Sequence, residues 1–229
     1  MEKAIALTPP QLRRIKPEAL RGCDIVYLGS EFCQNLLPTA EDMVFAAEKF
    51  KKRVVLSTSL MTGEKLAECE RLIKKLLRRG RPAVSVNDMG LLYLLDEKYK
   101  GRAEISLGRL VTTDFIRLYK PYASHFCRSY GVKMMETDEE EMLESCLPDG
   151  GCAVAFHYPL RLASMTRFCP FAEGKSGSCG HACDGKTIRL RSPKLRESCL
   201  VLKNNAYFFP GKISRSKIIS RLIYTPPDL

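Results

Sequence analysis

The chain has no apolar run near the ~20 residues that a bilayer-spanning helix requires; the longest, such as Cys152–Phe156, stop far short. A transmembrane helix is therefore not expected. The opening stretch Met1–Thr8, closed by Pro9 and Pro10, lacks the apolar core and cleavage pattern of an export signal, so a cytoplasmic location is expected. No Gly-x-Gly-x-x-Gly follows the first apparent strand, which counts against a dinucleotide-binding fold. Gly-x-Ser-x-Gly and His-Glu-x-x-His are also missing, and only three histidines occur, His125, His157 and His181. Serine-protease and zinc-protease chemistry thus have little to work with. There is no low-complexity tract, and 45% hydrophobic with 28% charged residues is a globular composition.

What the chain has is length, positive charge and cysteine. Its 229 residues suffice for one sizeable core, and a net charge of +11 is concentrated in two places. Residues 51–81 and 184–229 each carry ten Lys/Arg against three acids, so together they hold +14 and the rest of the chain −3. Such patches suit RNA, phosphate or an anionic surface, although the Lys74, Lys75, Arg78 and Arg79 group also reads as the solvated face of a helix. Ten cysteines in a reducing compartment point to metal ligands or redox groups rather than disulfides.

Short apolar runs bounded by turn residues predict strands at Lys3–Leu7, Ile25–Gly29, Val54–Ser57, Ala83–Val86, Ala103–Leu107, His125–Arg128 and Ala153–His157. Helical spacing intervenes over Glu41–Phe50 and over Glu64–Arg79, where Leu66, Cys69, Leu72, Ile73, Leu76 and Leu77 share a stripe. This alternation predicts a parallel (β/α) TIM-like barrel, complete or short of closure, over residues 1–165. Residues 166–229 read as a cysteine-rich, β-containing appendage, with strands at Thr187–Arg191 and Cys199–Lys203. Glu136, Asp138, Glu139, Glu140 and Glu141 read as the acidic start of a helix ending near Leu147, and Ile213–Tyr224 as an amphipathic closing helix.

The chemistry concentrates at Cys169, Cys179 and Cys183, a C-x9-C-x3-C cluster in a loop containing Gly174, Ser176, Gly177, Ser178 and Gly180. Thiolates on a glycine-rich loop suit an iron-sulfur cluster or zinc, and spacing alone does not separate the two. Cys33, Cys127, Cys199 and His181 are candidates for a fourth ligand. Cys33 is preferred, because it follows the strand Ile25–Gly29 and would stand with the loop on the C-terminal rim, where such barrels assemble their sites. Asp88, Arg109, Arg128 and His157 are candidates on the same rim for an anion clamp or proton transfer. Each also has a plain structural reading, Asp88 as a helix cap, the arginines as ion-pair partners and His157 as a core residue.

Asp24–Cys33, Val54–Thr58, Asn87–Gly90, and Tyr158–Leu160 leading to Arg167-Phe168-Cys169 together resemble the collagenase-like peptidase U-thirty-two family, and within it the UbiV branch. The resemblance spans about Gly22 to Cys183. It implies a [4Fe-4S] cluster on Cys33, Cys169, Cys179 and Cys183, a larger UbiU-like paralogue as heterodimer partner, and a part in oxygen-independent hydroxylation during ubiquinone biosynthesis. Other branches of that family imply hydroxylation of ribosomal or transfer RNA bases. A non-catalytic partner subunit, or a peptidase-like protein with structural zinc, is the remaining reading.

Overall fold

A computed structural model describes residues 1–115, 120–141, 143, 152–166, 168–172, 179–193 and 199–227. Eight parallel strands close into a barrel: β1 (Glu2–Leu7), β2 (Ile25–Gly29), β3 (Arg53–Ser57), β4 (Ala83–Val86), β5 (Glu104–Leu107), β6 (Val132–Thr137), β7 (Ala153–Tyr158) and β12 (Ile219–Tyr224). Helices α1 (Pro9–Arg14), α2 (Ala40–Phe50), α3 (Gly63–Leu77), α4 (Met89–Tyr99), α5 (Arg109–Phe115) and α6 (Lys120–Ser129) lie in the crossovers. Between β7 and β12 the chain builds a separate antiparallel sheet from β8 (Leu160–Met165), β9 (Thr187–Leu190), β10 (Leu200–Lys203) and β11 (Ala206–Pro210), in the order β8-β11-β10-β9.

Strand alternation sorts the core into two layers. In β2, Val26 and Leu28 turn outward and pack with Leu12, Leu56, Ile73 and Leu92 under the helices. Ile25 and Tyr27 turn inward with Ala4, Val55, Met134, Ala155 and Ile223. Every strand is thus buried on both faces, as parallel barrels require. Local signals agree with the helices: Thr39 and Asp42 form a reciprocal cap on α2, Thr62 caps α3, and Cys69, Leu72, Ile73 and Leu76 are the buried stripe of α3. Gly29 ends β2 at φ +129°, and a Cβ there would stand 2.1 Å from the Ser57 carbonyl oxygen, so only glycine fits.

The structure corrects four sequence expectations. His125–Arg128 lies inside α6, where Ala123 and Cys127, four residues apart, face the core; the strand begins only after the turn at Gly131. Glu136 belongs to β6 and is fully buried in the barrel rather than opening a helix, while the helix end expected near Leu147 falls outside the described residues. Ile213–Tyr224 is not a helix: Ile219–Tyr224 is the eighth barrel strand, pairing in parallel with β1 and β7. Its Arg221 mimics a polar helix face in the sequence, yet it points into the barrel, where Nη2 and Nε donate to Glu2 and Nη1 donates to the Tyr27 hydroxyl at 2.8 Å. The barrel is consequently complete, and the division at residue 165 falls within an insertion (about 160–210) whose chain returns to close the barrel.

Candidate functional site at the barrel rim

Near the C-terminal ends of the strands the barrel interior turns polar. Glu136, on β6, accepts from Ser85 Oγ on β4 at 2.9 Å and from Ser106 Oγ on β5 at 2.6 Å, and its Oε2 lies 3.1 Å from His157 Nε2 on β7. One layer higher, Glu31, just beyond β2, receives Arg109 Nε at 3.1 Å on each oxygen, together with Nη2. Arg109 Nη1 donates to Asp138 Oδ2 at 2.8 Å and to the Leu160 carbonyl at 3.0 Å. The guanidinium also lies 5.2 Å from the centroid of the Phe32 ring, so its charge is desolvated but fully engaged. Arg109 is 1% exposed and Glu136 0%. Burial raises the Glu31 carboxyl, but the Arg109 guanidinium outweighs it and holds the group at about 2. Burial, with the charge of Glu136, pushes the Tyr27 hydroxyl well up.

A cavity of about 50 Å³ opens above this layer, lined by Tyr27, Ser30, Glu31, Ser57, Arg109 and Lys203 among others. It shares Thr8, Gln11, Lys203 and Asn204 with a small adjoining pocket that reaches Cys183. On the other side His157 and Asp138 line a 600 Å³ depression together with Arg161 and Lys212.

Of the rim thiols, Cys183 lines the pocket that adjoins this cavity, and Cys33 follows Phe32, which lines the cavity itself. Cys33 follows Glu31 on the same β2–α2 loop, with its backbone N–H held by Ser30 Oγ at 3.2 Å. Burial raises its thiol, opposed by the nearby backbone N–H groups of Asn35 and Leu36 and reinforced by the charges of Cys179 and Cys169. Cys183 is pushed up to about 11 by burial and by the charges of Cys33, Cys169 and Cys179. Four thiols from chain positions up to 150 residues apart are therefore close enough to feel one another. The cysteine loop is held to the barrel by Asp184, whose two oxygens take Arg14 Nη1 at 2.8 Å and Nη2 at 2.7 Å. Among the described residues no three thiols lie within 4.8 Å of one another.

The other expected site residues divide. Arg109 and His157 meet at the interior polar cluster. Asp88 caps α4, accepting from Leu91 N at 2.9 Å and Met61 N at 3.0 Å, which occupies both of its oxygens. Arg128 is exposed near the end of α6. His181, a candidate fourth ligand, is exposed, and Cys127 is buried under α6 in contact with Cys152. Arg167 and residues 173–178 of the cysteine loop lie outside the described residues. Glu31, Glu136 and Asp138 were not expected: Glu31 stood two positions before Cys33, and the other two opened an acidic run that read as a helix start. The basic stretches also divide, since Lys74, Lys75, Arg78 and Arg79 are exposed on α3 whereas Arg221 and Lys203 are buried.

No family model and no curated protein matches the chain. A solved structure does, described as the structure of the U32 peptidase Mk0906, at 11% identity and a TM-score of 0.53, covering 99% of this chain and 92% of that one. At that identity the likeness shows a shared fold.

Proposed function

We propose that the chain is a [4Fe-4S] protein of the U32 peptidase-like group and a component of an oxygen-independent hydroxylation system, of the UbiV type. The observation that supports the cluster assignment is that Cys33, Cys169, Cys179 and Cys183 lie near enough to interact electrostatically although they come from two distant parts of the chain. The donor set fits the group: four soft thiols, Cys183 buried and the other three partly so, with backbone N–H groups beside Cys33, and burial and nearby N–H groups are what tune cluster potential. A cluster bound there would supply single-electron transfer. The chain's own residues provide the neighbouring cavity, whose walls combine Ser30, Ser57, Tyr27 and Lys203 with the apolar ring of Phe208. Such a space suits a small polar or carboxylate-bearing molecule beside the cluster. The hydroxylation reading rests on the resemblance of the motifs around Cys33 and Cys169 to the UbiV branch, and a larger UbiU-like partner belongs to the same reading.

The test is made in anaerobically grown cells that lack this chain, complemented with wild type or with Cys33→Ala, measuring hydroxylated quinone intermediates and hydroxylated nucleosides in parallel. Loss of the quinones in both the null and the Cys33→Ala strain supports the proposal. Loss of a hydroxynucleoside instead transfers the role to RNA modification, and no change in either overturns the hydroxylation reading.

A further inference from the structure

Glu31, Glu136 and Asp138 are all buried inside the barrel. Arg109 pairs with Glu31 and Asp138, while Glu136 is met by Ser85, Ser106 and His157. A cation held among these carboxylates would offset the cost of burying them.

The hydrogen bonds indicate where that cation belongs. Glu136 Oε2 lies 3.1 Å from His157 Nε2 and also takes Ser85, with Ser106 on its other oxygen, and in the tautomer that donates from Nε2 to this carboxylate the imidazole lone pair is on Nδ1. The lone pair of Nδ1 then points the other way. It makes no hydrogen bond although His157 is 2% exposed, and Glu31 Oε2 faces it at 3.8 Å, beyond hydrogen-bond reach. Two acceptor atoms at that separation can share one ion at about 2.1 Å from each, subtending an angle of about 130°. One ligand atom from each of Glu31, Glu136 and His157 falls within a sphere where all three lie within 4.8 Å of one another. Glu136 behind Nε2 completes the carboxylate–imidazole–metal arrangement that orients ligating histidines.

We propose that His157 Nδ1 and Glu31 bind a divalent transition-metal cation, of the Mn²⁺, Fe²⁺ or Zn²⁺ class, inside the barrel. Glu136 positions the imidazole, and water fills the remaining coordination places. Its charge offsets that of the surrounding carboxylates. The site shares no ligand with the rim cysteines, so it stands or falls separately from the cluster.

The experiment is an EPR titration of chelator-treated full-length protein with Mn²⁺, which thiolates bind poorly, repeated as a competition with Zn²⁺. The expected result is one Mn²⁺ per chain. Affinity should fall at least tenfold in His157→Gln, and ten- to a hundredfold in Glu136→Gln. It should be unchanged in Arg128→Ala, an exposed position on α6 away from the site. Circular dichroism melting of each variant separates loss of metal from loss of fold, and iron retained by His157→Gln shows that the cluster reading is untouched. Binding of neither metal by the folded wild type, binding indifferent to His157→Gln, or a His157 imidazole protonated on both nitrogens in the Mn²⁺-competent protein would overturn the proposal.

Discussion

Replacing Arg109 with methionine keeps most of the side-chain volume and removes the one guanidinium that serves Glu31 and Asp138 together. Stripping one partner from a buried, hydrogen-bonded ion pair costs about 3–5 kcal/mol, because the carboxylates left behind keep their desolvation penalty. In a domain of this length each kcal/mol moves Tm by ~2–4 °C, so a fall of roughly 6–20 °C is expected. The pH dependence separates this mechanism from simple loss of packing. The Glu31 carboxyl is held at about 2 in the fold, below its ordinary 4.5. A lowered folded pKa contributes stability that is fully present above the unfolded value and is lost as pH falls from about 4.5 through 2. That linkage amounts to about 3 kcal/mol. In Arg109→Met burial is opposed by His157 alone among those influences and favours the protonated acid, so acidification from pH 7 to 4.5 should narrow the stability gap to wild type. The assay is equilibrium urea unfolding of both proteins across that range. A loss below about 1 kcal/mol, or a gap that stays constant with pH, would refute the reasoning.

Three further outcomes follow from local geometry. Ser106→Ala removes the 2.6 Å donor to the buried Glu136 and should cost about 1.5–3 kcal/mol in the same unfolding assay; a neutral result would mean that the carboxylate does not depend on it. Gly29→Ala forces a Cβ to within 2.1 Å of the Ser57 carbonyl oxygen at φ +129°, so soluble yield or Tm should drop sharply, whereas Gly63→Ala, with open space at that position, should leave Tm within a few degrees. Arg14→Ala breaks a half-exposed ion pair and should change global stability by less than about 1 kcal/mol. It also frees the Asp184 anchor of the cysteine loop, so bound iron should be lost to a chelator faster than from wild type, and equal rates would show that the anchor is dispensable.

The barrel was legible wherever a strand announced itself locally. β1 to β5 and β7 are short apolar runs between turn residues, and α3 shows its stripe at helical spacing. β6 and β12 were missed for one physical reason: each carries a polar residue inward whose partners lie far away in the chain. Glu136 is satisfied by serines on β4 and β5, and Arg221 by Glu2, 219 residues distant, so in sequence both look like solvent-facing charge. The same non-local pairing hid Glu31 and Asp138, whose role depends on an arginine on α5. The spacing of Cys169, Cys179 and Cys183 and the place of Cys33 after β2 suggested a shared rim site, a choice argued from where parallel barrels place the loops after their strands.

The measurement that bears most directly on the account is metal and sulfide analysis of anaerobically purified wild type and Cys33→Ala, with a visible spectrum of each. The account predicts about four irons and a matching amount of sulfide per wild-type chain, a broad thiolate–iron absorbance near ~400 nm, and loss of both in Cys33→Ala. A colourless wild type carrying one zinc at the cysteines, or full iron in Cys33→Ala, would contradict it.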